Sequence, residues 1–243
     1  MRSPSSHRDG ASLLLLRWTR QFCLELDQPL PLAAQHIPIP PALERAVPRR
    51  QTQFRAGRYC ALRAMEALDP RLARHKVERS TTGAPAWPPG ITGSITHTDD
   101  FASAAVASTA EVASLGIDTE RVLSAEQARD VGDVVASSSE LQHCHAAGIT
   151  PLGGLTLVFS AKESIFKCLH PLVGRMFEFH DVRLVSVDVA TQTFRAEIVT
   201  TLGSDFSAGT FLEGRFALEG HRMHTGISIE TPEAFRNQGR SSS

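Results

Sequence analysis

Asp118 and Glu120 are separated by one residue in Gly116-Ile117-Asp118-Thr119-Glu120, and in an extended chain residues two apart project to the same side. Two carboxylates held side by side repel each other unless one is protonated or a cation lies between them. Hard oxygen ligands of this kind suit Mg²⁺, which commonly fills its other positions with water and phosphate oxygens. The pattern equally fits a strand that ends in a solvated acidic turn. A second segment, Phe159-Ser160-Ala161-Lys162-Glu163-Ser164-Ile165-Phe166-Lys167, also has two readings. Ser160 followed three residues later by Glu163 is the pattern of a capping box at a helix start, and Glu163 with Lys167 is a surface i, i+4 pair in the favourable order. In the other reading Glu163 binds a metal and Lys167, one turn on, a phosphate. In a third segment, Gly93-Ser94-Ile95-Thr96-His97, hydroxyls and an imidazole stand at a strand end, as suited to a phosphate as to a capped turn. Arg50 and Arg58 come fourth, because the arginine fork matches phosphate geometry, although a long arginine can also snorkel from an apolar stripe.

These residues need elements to position them. A helix is expected over residues 52–68, with Phe54, Ala61, Leu62, Met65 and Leu68 on one face. Arg58 falls inside that apolar stripe, while Arg55 and Arg63 point away from it. Residues 26–48, rich in proline, read as extended loop, and residues 82–89 as irregular. Short strands are expected at 91–97, 102–108 and 112–118. Residues 124–147 read as helix broken at Ser137-Ser138-Ser139, followed by a loop over 148–154. A further helix runs from about 160 to 169 and stops before Pro171. The last third changes to period two, giving antiparallel strands at 182–189, 194–200, 211–218 and 223–229. The order implies an α+β architecture, with two similar halves as one form of it.

Composition narrows the classes of function. The 243 residues allow one domain or two small ones. With 25 Lys plus Arg against 26 Asp plus Glu, the net charge is −1, so no global basic field exists to capture nucleic acid or an acidic membrane. The Leu13–Leu16 run is too short for a span or a secretory core. Cys23, Cys60, Cys144 and Cys168 form no CxxC pair, which points to reduced thiols and a cytoplasmic location. Only three lysines occur, Lys76, Lys162 and Lys167, and two of them share one short segment. The first ten or so residues and a tail at 236–243 are expected to be mobile.

Taken together, Trp87-Pro88, Gly93–His97, Gly116–Glu120 and Phe159–Lys167 resemble, in order and spacing, the motifs of the 4′-phosphopantetheinyl transferases, especially the single-chain enterobactin-synthetase type. The resemblance runs from about Arg49 to Phe179. It implies two α+β halves related by a pseudo-twofold, residues 1–120 and 121–235, with the active site in the cleft between them. It also implies transfer of the phosphopantetheine arm of coenzyme A to a serine of an apo acyl or peptidyl carrier protein, for siderophore, nonribosomal peptide or polyketide synthesis, with release of adenosine 3′,5′-bisphosphate. Carried over by motif, Asp118, Glu120 and Glu163 hold Mg²⁺, or Mn²⁺ in its place. Thr119 offers a backbone carbonyl or a water. Lys167 meets the CoA diphosphate, and Glu163 is the expected general base. Arg50, Arg58, Gly83, Thr96 and His97 contact the 3′-phosphoadenosine end. The chain is expected to act as a monomer, with residues 124–150 facing the carrier and no nucleic acid or membrane as partner. One departure stands out: many relatives have a lysine just before the Gly-x-Pro that is here Gly83-Ala84-Pro85, and this chain has Thr82, with Arg79 nearby. The alternatives are a CoA-binding protein without transfer activity, or a Mg²⁺-dependent CoA phosphohydrolase with no carrier surface.

Overall fold

The computed structural model describes residues 16–80 and 83–232. The expected mobile ends, Thr82 and most of Leu13–Leu16 lie outside them. Chain contacts define two units, one of the described residues up to Ala113 together with those from Ile229 onward, the other Ser114–Ser228.

In the first unit, β1 (Arg20–Glu25) is followed by a four-residue helix α1 (Leu32–Gln35) and by the long α2 (Pro48–Leu68). A two-residue pair, β2 (Glu78–Arg79) and β3 (Pro85–Ala86), precedes β4 (Ile91–His97) and β5 (Phe101–Ser108). β1, β5 and β4 form an antiparallel sheet in that order. One face of α2 packs on it through small residues, Ala56, Cys60, Ala61 and Ala64, against Phe22, Leu24, Ala104 and Val106. Burying a side chain such as Phe22 is worth about 1.5–3 kcal/mol relative to leaving it exposed.

Three expectations need correction here. α2 begins a turn earlier than its apolar stripe suggests, because Pro48 occupies the first helical position, where its missing N–H costs nothing. Arg49 and Arg50 therefore belong to the helix. Arg63 does not simply point away: its guanidinium lies 5.2 Å from the centre of the Phe22 ring and pairs with Glu66. The stretch 26–48 is not loop throughout, since prolines introduce α1 and a short 3₁₀ turn, Pro41–Leu43. β1 had no period-two signature, because Gln21 and Phe22 are both buried.

β6 (Val112–Arg121) leads into the second unit, with α3 (Ala125–Val135), α4 (Ser138–Ala146), α5 (Pro151–Val173), β7 (Val182–Asp188), β8 (Thr193–Ile198), β9 (Phe211–Glu219) and β10 (Arg222–Glu230). Its sheet runs β6-β10-β9-β8-β7. Helices beside antiparallel sheets make both units α+β, as expected. The serine run does break the helix: Ser137 caps α4 in a full capping box with Glu140.

The largest correction is α5. It starts at Pro151 with Thr150 as its cap, nine residues before the expected start, and runs past Pro171 to a left-handed Gly174. Gly153 and Gly154, which looked like loop, are helical, while 148–150 do form the turn before α5; at Gly154 the missing side chain admits Cys144 of α4. Pro171 lies in the last turn, where one lost hydrogen bond is tolerated. Lys162, 3% exposed, donates to the Val135 carbonyl at 2.8 Å and pairs with Glu140 at 2.9 Å. Glu140 also accepts from the Leu184 and Ser137 backbones. This satisfied buried pair ties α5 to α3, α4 and β7, and stranding either partner costs about 3–5 kcal/mol.

Candidate active site

Ser160 stands in the middle of α5, so it caps nothing and Glu163 completes no capping box. What brings these residues to Asp118 is close contact between β6 and α5. A Cβ built on Gly116 would lie 1.9 Å from the Ser164 carbonyl oxygen, so only glycine allows this approach. Two residues further along β6, Asp118 is 3% exposed. Its Oδ2 accepts from the Ser160 hydroxyl at 2.8 Å, and its Oδ1 from the Lys167 ammonium at 2.6 Å. Thr119 is buried on the other side of the strand, its hydroxyl 3.0 Å from His224 Nδ1.

Asp118, Glu120 and Glu163 lie within electrostatic reach of one another and of Lys167. Burial pushes the Glu120 carboxyl up to about 7; Asp118 and Glu163 push the same way, and Lys167 opposes them. Burial likewise raises Glu163, with Asp118 adding to it and Lys167 opposing. Burial works against the Lys167 ammonium, yet Asp118, Glu163 and Glu120 together hold its pKa above the ordinary lysine value. Among the described residues, no group of three His, Cys, Asp or Glu is gathered closely enough to hold a metal ion. Lys167 supplies the cation against Asp118. A cavity of about 220 Å³ opens beside Glu163, with Phe166, Met176, Phe177 and Phe179 in its walls.

The first unit assembles a second constellation. Arg49 pairs with Asp99, and Gln53 donates to the Thr98 carbonyl, docking the start of α2 on the turn after β4. Arg50 thereby meets His97, Nη1 to Nε2 at 2.6 Å. Arg58 lies 4.7 Å from the centre of the Phe54 ring, and its Nε is buried without a hydrogen-bond partner. Burial, then Arg79, then Arg50 depress its pKa to about 10. Gly83 has φ +93°, and the Arg79 guanidinium folds over it, 2.7 Å from where a Cβ would be. Phe54, Arg58, Leu62, Ile37, Pro40 and Arg79 help to line a cavity of about 600 Å³. Thr96 is not part of this group: strand alternation turns it away from His97, and it is 3% exposed. Ser160, Thr225 and Arg79 are neighbours of these sites that sequence reading did not assign to them, and only the departure at Thr82 drew attention to Arg79.

Comparison with known proteins fits this arrangement. Residues 39–107 match the 4′-phosphopantetheinyl transferase N-terminal domain, and residues 114–219 match the 4′-phosphopantetheinyl transferase superfamily. Among similar proteins is the 4′-phosphopantetheinyl transferase Svp of Streptomyces mobaraensis, 36% identical over 193 residues, covering 77% of this chain and 76% of that protein. PptT of Mycobacterium tuberculosis is 28% identical over 196 residues, 78% of this chain and 83% of its own. Enterobactin synthase component D of Escherichia coli K12 is 33% identical over 125 residues, 51% and 57% of the two chains. The chain belongs to the 4′-phosphopantetheinyl transferase superfamily. Its activity is phosphopantetheinyl transfer, with coenzyme A as the donor and carrier proteins as the acceptors. No single helix among the described residues is long and apolar enough to cross a membrane.

Proposed function

We propose that this chain transfers the phosphopantetheine arm of CoA to a carrier serine through the carboxylate–lysine cluster of Asp118, Glu120, Glu163 and Lys167. The observation that carries this reading is the Asp118–Lys167 contact at 2.6 Å with Glu120 and Glu163 in electrostatic reach. Hard, mutually repelling carboxylates have the donor chemistry that a divalent cation takes, so Asp118, Glu120 and Glu163 would draw together to hold Mg²⁺ or Mn²⁺. When bound, the cation neutralises charge on the diphosphate. Lys167 exchanges Asp118 for a diphosphate oxygen and balances the charge left on the departing phosphate. Glu163, whose burial favours proton uptake, accepts the proton of the carrier serine. The serine oxygen forms a bond to phosphorus as the bond to the other phosphate breaks, and adenosine 3′,5′-bisphosphate leaves. The phenylalanine-walled cavity beside Glu163 suits the apolar stretch of the pantetheine arm, and exposed α3 and α4 suit the carrier, with Arg129, Asp133 and Val134 outward.

In this reading the 3′-phosphoadenosine end belongs with Arg50, Arg58, His97 and Gly83. Arg58→Ala and His97→Ala should weaken CoA binding by about tenfold to a hundredfold, since a charge-assisted hydrogen bond contributes about 1.5–3 kcal/mol. Dephospho-CoA should suffer less. Calorimetric titration of both ligands checks this, and equal losses would move these residues away from the 3′-phosphate. Transfer itself is tested by weighing an intact apo-carrier after incubation with CoA and Mg²⁺.

A further inference from the structure

Ser160 and Thr225 have no part in the reaction described so far, yet both side chains are fully buried, Ser160 against Asp118 and Thr225 against Ser160. A serine inside a helix ordinarily bonds back to its own preceding turn. Ser160 instead reaches across to β6, donating to Asp118 Oδ2 at 2.8 Å, and touches Thr225 Oγ1 of β10 at 2.9 Å. The Thr225 hydroxyl donates its one proton to the Ser160 carbonyl at 2.7 Å. Toward the Ser160 hydroxyl it therefore only accepts. The single Ser160 proton has two acceptors, and the carboxylate is the stronger. Ser160 thus pins one oxygen of Asp118 while Lys167 holds the other.

We propose that Ser160, whose backbone carbonyl Thr225 ties to β10, is a positioning residue that fixes the Asp118 carboxylate for cation binding. This rests on the proposed metal role of Asp118. Partners behind a metal ligand typically matter about 10–100-fold in metal affinity. Ser164 provides a control, because it is equally buried one turn on but bonds only within α5, to the Ala161 carbonyl.

The test is Mn²⁺ binding to the CoA-free protein, followed by electron paramagnetic resonance, with thermal midpoints alongside. Ser160→Ala should weaken Mn²⁺ binding about 10–100-fold, and Thr225→Val should weaken it in the same direction by less. Ser164→Ala should leave it within about twofold, whatever it does to the midpoint. Equal Mn²⁺ affinities in Ser160→Ala and Ser164→Ala would make Ser160 a packing residue. If Ser160→Ala does not fold, Thr225→Val decides, and unchanged Mn²⁺ affinity in it overturns the assignment. Wild-type protein that binds no Mn²⁺ would overturn the metal reading and the positioning role together; a tight wild-type site left unaltered by these variants would overturn the positioning role alone.

Discussion

Glu163→Gln should lower transfer at least about a hundredfold, because losing about 2.7 kcal/mol of transition-state stabilisation already costs that much. Glutamine keeps the shape of the side chain but removes the anionic oxygen needed to hold a hard cation and to accept the serine proton. The capping explanation for this residue has gone, since α5 is capped at Thr150. Gln also relieves the repulsion that Asp118 exerts on Glu163. The thermal midpoint without ligand should therefore move by no more than about 2–4 °C, the shift expected for 1 kcal/mol in a chain of this size. Turnover against Mg²⁺ concentration, read beside the midpoint, separates the outcomes. Near-normal turnover would remove Glu163 from the chemistry.

Gly116→Ala should damage both folding and catalysis. The new methyl would sit 1.9 Å from the Ser164 oxygen and 2.6 Å from the Cys168 nitrogen. Both are backbone atoms, so no rotamer change relieves the clash, and β6 must part from α5. Overpacking of this kind costs about 1–3 kcal/mol, which lowers the midpoint by about 3–10 °C. Asp118 lies two residues along the displaced strand, so its contacts to Ser160 and Lys167 should stretch. A misplacement of about 1 Å in a reacting constellation costs about a hundredfold in rate. Differential scanning fluorimetry and a transfer assay on the same sample check both parts. An unaltered midpoint with full activity would mean that strand and helix are not in contact there.

Much of this arrangement could be read from sequence, for identifiable reasons. Period two located β7 to β10, short runs between turn signals located β4 to β6, and the side-by-side placement of Asp118 and Glu120 follows from strand geometry alone. The break at Ser137 to Ser139 was visible because capping is a local event. The start of α5 was misread for an equally local reason. Gly148 to Gly154 has the composition of a loop, but Thr150-Pro151 is a cap followed by a first helical residue, and Gly154 serves packing against Cys144 of α4. Ser160 and Glu163 imitated a capping box because any helix interior offers the same i, i+3 spacing. Contacts between elements left no trace. Asp118 with Ser160, Glu140 with Lys162 and Arg50 with His97 are joined only by the packing of helix on strand or helix on helix, and no periodicity reports a partner more than 20 residues away.

The most direct measurement of the central claim is the intact mass of an apo-carrier protein after incubation with this enzyme, CoA and Mg²⁺, with chelator and Asp118→Asn as paired controls. The account predicts that the carrier gains the mass of one phosphopantetheine arm at a serine, that adenosine 3′,5′-bisphosphate appears in equal amount, and that both vanish in the two controls. Consumption of CoA with the carrier mass unchanged would contradict it and establish hydrolysis in place of transfer.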